Sequence, residues 1–523
     1  MNTEIELKFL VLEKENEVST VEKISELLNA KKYVYVNQTK TLTNSYFDTA
    51  DLALRHQDKG LRIRTSADEN NNKQSEQTIK TTGKVVGGLH QRPEYNVDIT
   101  GSFPELSLFP QDIWPENQSL DELQNQLISL FSTNFSRVTW LITIEHLNNE
   151  ESVVELVFDQ GVIQSKDKED VICEIELELV KGHVDDLLAL AKVLCFGLQL
   201  RPGIKSKAAR GYALYHQHTT GESTCDVRDE ELSGLSLIPL KQPNNIEQVF
   251  STGVEYSLTQ LQTFVDAYSA KPSLAILNKI TETLALLRQG FWLFDQCLNP
   301  EMKKLRNELS FFIKKLQWVE DACHLKELTT KTGNYRTKLH YSDALIEQLK
   351  SEKNSYPDSE QNIALFHSAR FNRVQLSLLS LLLSKTPLVN VERLSHSDVI
   401  SFAQTALEFN RQNLVKAMST TSNIDSAQYI NHHKLLIRSL LTGSWFGSLY
   451  EKSERLAFRN PWLDIKIGIS ELQTILLLQQ QLRKLAEPDV KLTKWLDSKI
   501  EHLLLTLEQS RVQAVASLPY WDC

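Results

Sequence analysis

Apolar residues change rhythm once along this chain. Over roughly the first 200 residues they alternate with polar ones in short runs, the period of a half-buried strand. Beyond residue 246 they recur at three and four, as in Leu274, Leu277, Ile280, Leu284 and Leu287, or Leu472, Ile475, Leu476, Leu482 and Leu485, the period of a helix face. The opening run Glu4-Ile5-Glu6-Leu7-Lys8 puts two carboxylates and an amine on one strand face and two aliphatics on the other. Such a face is either solvated or buried against ionic partners.

The same pattern predicts the elements that follow. A helix is expected over Ser19–Asn29, then extended segments at Tyr33–Val36 and Leu42–Phe47, with Asp48-Thr49-Ala50-Asp51 placed to cap a short helix. Gly60–Arg64 repeats the alternation, with Arg62 and Arg64 in phase. Residues 68–75 read as a polar turn, Gln77–Thr82 as a strand carrying Thr78 and Lys80 on one side, and Gly87-Gly88 as a bend. Leu89–Val97 is extended with His90, Arg92 and Glu94 in phase, and Pro93 marks an edge or bulge. A proline-containing connection (101–120) leads to a predicted helix at Leu120–Phe131. Strands are expected at Arg137–His146, Ser152–Gln160 and Val171–Val180, the last with Glu174, Glu176 and Glu178 on one face. A helix over Asp185–Leu198 and a basic cluster (Lys205, Lys207, Arg210) close this part.

An open sheet with one wet face accounts for each strand alone. Taken together, acids lie mainly on the first and last strands and bases mostly on those between. Closing the sheet would gather all these faces into one lumen, with helices over the apolar outside. Arg62, Arg64, Lys80, Arg92, Arg137 and the 205–210 cluster would then form a ring of donors for a polyanion. Glu4, Glu6, Glu174, Glu176 and Glu178 would need cations to stay ionised together, and hard oxygen ligands suit Mg²⁺ or Mn²⁺. Cations beside a basic cradle are the parts of a phosphoryl-transfer site.

Composition narrows the rest. The 523 residues exceed one ordinary domain. Residues 1–239 carry 24 Lys and Arg against 38 Asp and Glu, and residues 240–523 carry 33 against 29, so neither half is basic enough to argue for nucleic acid. The six cysteines (173, 195, 225, 297, 323, 523) show no metal-ligand spacing and read as reduced thiols of a cytoplasmic protein. Glu4 and Glu6 stand where a secretory signal would need apolar residues, and the Leu376–Leu383 run is too short to span a membrane. His90 has two readings, a phosphate contact or a hydrogen-bonded structural histidine, while Tyr46 and Asp48 read as supports of the strand end.

At this point the residues meet a resemblance. Glu4-Ile5-Glu6-Leu7-Lys8 is similar to the ExExK signature of the CYTH family, the triphosphate tunnel metalloenzymes. Ser45-Tyr46-Phe47-Asp48-Thr49, Gly60-Leu61-Arg62-Ile63-Arg64, Gly87 to Tyr95, the 173–179 strand and Ser206 to Tyr212 follow in family order. The whole resembles bacterial inorganic triphosphatases in which a CYTH domain precedes a CHAD domain. The resemblance implies an α+β fold: an eight-stranded antiparallel β tunnel barrel with flanking helices (1–216), a linker (217–245) and an all-α helical-bundle CHAD-like domain (246–523). It implies hydrolysis of inorganic triphosphate to diphosphate and phosphate. Lys8, Arg62, Arg64, Lys80, Arg92, Arg137 and Lys205 or Lys207 would hold the substrate. Glu4, Glu6, Glu176 and Glu178 would bind two Mg²⁺ or Mn²⁺ ions, with Glu94, Asp159 and Glu174 as further metal candidates. One departure is Thr139, where some relatives carry a second basic residue.

Two other functions stay open: the same tunnel acting on thiamine triphosphate or ATP, and a polyphosphate-binding scaffold in the helical half. Against the latter, the helix expected at Ile276–Phe294, aligned so that Arg288 matches the last of the CHAD arginines, has Asn278 in place of the CHAD histidine and apolar or neutral residues in place of most of its arginines. His367-Ser368-Ala369-Arg370 with Arg373 keeps the spacing in part. His324, His432 and His433 read as ordinary helical histidines, and Trp292, Trp318 and Trp445 as core.

Overall fold

The computed structural model describes residues 2–12, 17–67, 73–86, 88–146, 150–220, 235–243, 245–331, 335, 342–383, 388–390, 398–419, 423–487 and 489–522. The chain forms two compact units: residues 1–226 with 366–383, and residues 227–365 with 384–523.

In the first unit eight strands close into an antiparallel, tunnel-like ring. They are β1 (Asn2–Val11), β2 (Val34–Asp48), β3 (Gly60–Ala67), β4 (Lys73–Lys80), β6 (Leu89–Ile99), β7 (Ile128–Glu145), β8 (Glu151–Ser165) and β9 (Lys168–Lys181), in the order β1-β9-β8-β7-β2-β3-β4-β6 and back to β1. Two short strands, β5 (Lys84–Val86) and β10 (Leu200–Pro202), add to β6 and β1. Residues directly opposite in neighbouring strands share a face. Register therefore carries the inner face around the ring: Glu6 faces Glu178, Glu178 faces Glu155, Asp159 faces Arg137, Asn44 faces Arg64, Arg62 faces Thr78, Lys80 faces Glu94, and His90 faces Glu6.

The outer face is apolar and covered. On one side Phe47, Leu61, Ile63, Ile79 and Ile99 bury against Leu106, Phe109, Trp114 and Leu123 of the 101–127 segment, which includes α3 (Leu120–Gln126). On the other side Leu7, Trp140, Leu156, Phe158, Ile175 and Leu177 are fully or almost fully buried; α4 (Val184–Gly197) packs on β8 and β9 there, with α1 (Glu17–Ala30) against it. Each such side chain removed from water contributes about 1.5–3 kcal/mol. α5 (Lys207–Thr220) closes one end of the ring. Its Tyr212, Ala208, Leu214 and Tyr215 pack on the inward Leu42, Phe131, Phe135, Ile163 and Ile172.

Three elements differ from expectation. Leu120–Phe131 is not one helix: α3 ends at Gln126 and Ile128–Phe131 begin β7. Apolar spacing there fits both periods, and pairing of Ile128 and Ser129 with Asp48 and Phe47 decides for strand. β2 runs unbroken through the polar Asn37–Thr41, because β7 pairs with it throughout. Pro93 is neither at a sheet edge nor a bulge. Its carbonyl accepts the Thr81 N–H, so its missing donor faces the gap between the end of β4 and the start of β5. The expected turn at 68–75 and the linker lie largely outside the described residues, and so does Gly87.

Asp48 does cap the short helix α2 (Ala53–His56), accepting from Leu54 N at 2.8 Å and Arg55 N at 2.9 Å; it also accepts from the Tyr212 hydroxyl at 2.9 Å.

The second unit is all-helical among the described residues. It contains α6 (Ile246–Ala270), α7 (Leu274–Leu293), α8 (Pro300–Lys315), α9 (Val319–Thr329), α10 (Asp343–Asn354), α11 (Ser359–Phe366), α13 (Val399–Met418), α14 (Ser426–Phe446), α15 (Lys452–Arg483) and α16 (Val490–Ala516). Trp445 lies at its core, donating to Leu286 O at 2.8 Å. Gly253 and Gly290 leave room for the indole, since a Cβ at either would come within 2.0 Å of it. Trp292 is instead exposed, with the Arg306 and Arg438 guanidiniums over its ring.

Residues 369–383 (α12, Ala369–Leu383) belong to the first unit, although periodicity alone groups them with the C-terminal half. Their apolar face (Phe371, Val374, Leu378) is buried, Asn372 donates to Leu200 O in β10, and Arg373 stacks 4.9 Å over Phe196 of α4. The partial CHAD-like motif there thus spends Arg373 on packing.

Candidate active site

The interior of the ring encloses a cavity of about 500 Å³. Among the described residues, nine Lys and Arg and seven Asp and Glu line it, largely sorted by strand, with Lys8 among the acids and Glu76 and Glu94 among the bases. β1, β9 and β8 present Glu6, Glu176, Glu178 and Glu155. β3, β4 and β6 present Arg62, Arg64, Lys80 and Arg92. Arg55, Asp58 and Lys59 join from α2 and the loop behind it.

An ionic knot underlies the acidic wall. Lys8 Nζ lies 2.6 Å from Glu176 and 3.0 Å from Glu174, with Glu6 at 3.8 Å. Lys207, at the first turn of α5, lies 2.7 Å from Asp159 and 2.9 Å from Glu176, and also contacts Glu174. Arg137 forks onto Asp159 at 2.6 and 2.7 Å and reaches Glu176 at 3.0 Å. Asp159 and Glu174 are fully buried. Burial alone would raise the Glu176 carboxyl, but Lys207, Lys8 and Arg137 outweigh it and hold it well below the usual range. Asp159 is lowered against burial by Lys207 and Arg137. The Lys8 ammonium is raised against burial by Glu174, Glu176 and Glu6, and Lys207 is raised against burial chiefly by Asp159 and Glu174.

Across the cavity, burial first and then the Arg62 and Arg137 charges bring Arg64 down to about 10. It still donates to Asn44 Oδ1 at 3.0 Å. Arg62 and Lys80 share Glu94 at 3.3 and 3.0 Å. His90 lies against the Gly203 carbonyl at 3.2 Å, and burial together with Lys8 lowers it to about 4. It is neutral at pH 7 and hydrogen-bonded, as the structural reading expects, and it also lines the cavity. Gly203 lets the β1 lysine lie flat: a Cβ there would come within 2.6 Å of Lys8 Cγ.

The expected residues therefore sort by place. Lys8, Arg62, Arg64, Lys80, Arg92, Arg137, Lys207, Glu6, Glu94, Glu176 and Glu178 line the cavity. Glu94 does so inside the basic wall. Asp159 and Glu174 sit behind Glu176, their oxygens converging with it within 4.8 Å. Lys205 is not among the lining residues; the chain enters α5 just after it, with Ser206 Oγ accepting the Ala209 N–H. Arg210 straps α5 to β9 through Asp170 and Glu174. The Glu4 side chain lies outside the described residues, and its backbone is opposite Arg92. Sequence reasoning missed Glu155, although it shares the parity of Asp159, and it missed Arg55 of α2 and Lys59 of the following loop, which no periodicity marks.

Carboxylates are the donor type that a hard divalent cation takes. Glu6, Glu178 and Glu155 are all carboxylates, adjacent by register at the cavity wall. The converging Asp159–Glu174–Glu176 cluster is paired with Lys8, Lys207 and Arg137, and of its three carboxylates Glu176 also lines the cavity.

Comparison with known proteins agrees with this geometry. Residues 2–212 match the CYTH domain family. An inorganic triphosphatase of Haemophilus influenzae is 37% identical over 185 residues, covering 35% of this chain and 49% of that protein, so the chain spans about half the length of the curated relative it matches. Among solved structures, the CHAD domain from the plant Ricinus communis aligns with TM-score 0.41 and 16% identity over 55% of this chain and 97% of that one. HpAC1 from Hippeastrum, described as having a dominant triphosphatase activity, aligns with TM-score 0.27 and 18% identity over 41% and 96%. The tunnel-like ring with its opposed charged walls is formed by the same residues, 2–212, that match the CYTH domain family.

Proposed function

We propose that the ring hydrolyses inorganic triphosphate to diphosphate and phosphate with the help of Mg²⁺ or Mn²⁺, two ions in all. One observation carries this reading: a wall of Arg62, Arg64, Lys80 and Arg92 faces a wall of Glu6, Glu176, Glu178 and Glu155 across one small cavity. The name of the Haemophilus influenzae relative supports it.

A triphosphate is a chain of hard, multiply charged oxygens. Arg62, Arg64, Lys80 and Arg92 bind and orient those oxygens and stabilise the charge that builds on the leaving group. Glu6, Glu176 and Glu178, with Glu4 from the same strand face, would hold the cations. When bound, these supply charge neutralisation and a water acidified enough to attack phosphorus. Lys8, Lys207 and Arg137 keep Glu176 ionised and fixed, so that the carboxylate is available at neutral pH. The helix-closed end of the ring limits bulk water at the reacting phosphorus.

The helical unit offers a polyanion less. A groove there is lined by Glu282, Glu320, Glu327 and Glu471 against Lys466 and Lys499. No helix among the described residues is long and apolar enough to cross a membrane.

The test is a side-by-side assay of phosphate release from triphosphate, thiamine triphosphate and ATP with Mg²⁺. Inorganic triphosphate is expected to lead in kcat/KM by about tenfold or more, ~1.4 kcal/mol. A lead of that size for either organic substrate sinks the substrate assignment.

A further inference from the structure

The cations of the basic wall are held in different ways. Arg62 and Lys80 share the Glu94 carboxylate. Arg64 also lines the cavity, but among the described residues no carboxylate lies within ion-pair distance of it, although Glu76 stands opposite it on β4. Its side-chain hydrogen bond goes to a neutral group: Nε donates to Asn44 Oδ1 at 3.0 Å.

Asn44 sits behind that guanidinium in apolar company. It has no solvent exposure, and the residues before and after it on the inner face of β2 are the buried Leu42 and Tyr46. An amide buried among apolar groups is costly unless both its ends are bonded. Here both are. Asn44 lies directly opposite Arg64 on β3 and Thr133 on β7, and its Nδ2 donates to Thr133 Oγ1 at 2.8 Å. A guanidinium can only donate, so Arg64 fixes which end of the amide faces it. The NH₂ end then turns to Thr133, which is itself fully buried. Three neighbouring strands thus set the orientation of one side chain.

The choice of acceptor matters for an anion. Asn44 takes the Nε hydrogen of Arg64 and leaves the NH₂ groups of the fork, the donors that match phosphate oxygens in pairs. Being neutral, it also leaves the positive charge uncompensated, and Arg64, brought down only to about 10, stays charged at neutral pH. A carboxylate in the same place would compete for the fork and cancel that charge. We infer that Asn44 is a positioning residue: oriented by Thr133, it holds Arg64 by Nε and reserves the guanidinium fork for phosphate oxygens of the triphosphate. The inference rests on the reading of the basic wall as the triphosphate site.

The experiment is steady-state hydrolysis of inorganic triphosphate with Mg²⁺ by the full chain, with thermal unfolding followed alongside, for the wild type, Arg64→Ala, Asn44→Asp and Thr133→Val. Asn44→Asp keeps the side-chain shape and the acceptor for Nε, and it gives Arg64 a counter-ion. It is expected to melt at or above the wild-type temperature while KM rises by about tenfold to a hundredfold and kcat changes much less. A merely structural asparagine would not separate stability from KM in this way. Thr133→Val removes only the hydroxyl that orients the amide, and it is expected to move KM in the same direction by less. A folded Asn44→Asp protein with wild-type KM overturns the inference; if that variant does not fold, wild-type KM in a folded Thr133→Val protein overturns it. Arg64→Ala separates this role from the reading beneath it. If Arg64→Ala lowers kcat/KM while Asn44→Asp does not, the positioning role alone fails. If Arg64→Ala also keeps the wild-type kcat/KM, the triphosphate reading of the basic wall fails with it.

Discussion

Lys207 Nζ lies 2.7 Å from the carboxylate of Asp159, a residue with no solvent exposure. This contact joins the first turn of α5 to the interior of β8, so one ammonium contributes both to closure of the ring end, with Arg210, and to charge balance at the site, with Lys8 and Arg137. Lys207→Met removes it and leaves the Asp159, Glu174 and Glu176 carboxylates short of a cation. A loss of about 3–5 kcal/mol is expected, read as a lower urea midpoint with unchanged slope. Lys205→Met, outside the cavity, is expected to stay within about 0.5 kcal/mol of wild type.

The same knot sets the pH profile of stability. Glu176 and Asp159 have depressed folded-state pKa values, so their contribution is present above the ordinary carboxylate range of about 4 and is lost as pH falls through the folded values. Lys8 and Lys207 are raised, so theirs is complete below about 10.4 and is lost only as pH rises through the higher folded values. His90, lowered to about 4, adds stability that is complete above ~6.5 and falls away below it. Denaturation midpoints are expected to be flat from neutral to mildly alkaline pH and to fall in acid.

The basic wall makes a kinetic prediction. Arg62→Ala and Arg92→Ala each remove a cavity-lining guanidinium that the proposed function assigns to phosphate, a charged hydrogen bond worth about 1.5–3 kcal/mol. Steady-state assays should show kcat/KM for triphosphate lower by roughly tenfold to a hundredfold. Unchanged values would remove these residues from the substrate site.

Glu155 tests the opposite wall. It faces Glu178 and lines the cavity. Glu155→Gln is expected to raise the Mg²⁺ concentration for half-maximal activity by about tenfold, in a metal titration of phosphate release. Glu174→Gln, fully buried in the knot, is expected to lower stability instead.

Much of this was legible in the chain because β-strand parity is local. Alternation alone put Arg62 with Arg64 and Glu176 with Glu178, and ring closure turned those faces into one cavity. Parity says nothing of depth along the strand. It did not separate Glu176 at the cavity surface from Glu174 two residues away and buried behind it. Nor did it show that Lys8 and Lys207 meet carboxylates before any phosphate, since that depends on α5 entering the ring end. Ile128–Phe131 was misread as helix because four apolar-rich residues fit both periods, and its partners at Phe47 and Asp48 are some eighty residues away. The α12 packing on α4 and β10 was invisible for the same reason: an apolar helix face does not name its partner.

The most direct test of the opposed-wall account is the rate of phosphate release from inorganic triphosphate at saturating Mg²⁺, measured for the wild type and for Glu178→Gln. Glu178 lines the cavity and is not a member of the Asp159–Glu174–Glu176 cluster, and Glu178→Gln keeps the side-chain shape, so the variant should fold with an unchanged circular dichroism spectrum. The account predicts a fast wild-type rate and a loss of at least about a hundredfold, ~2.7 kcal/mol, in the variant. A folded Glu178→Gln protein that releases phosphate at the wild-type rate would contradict it.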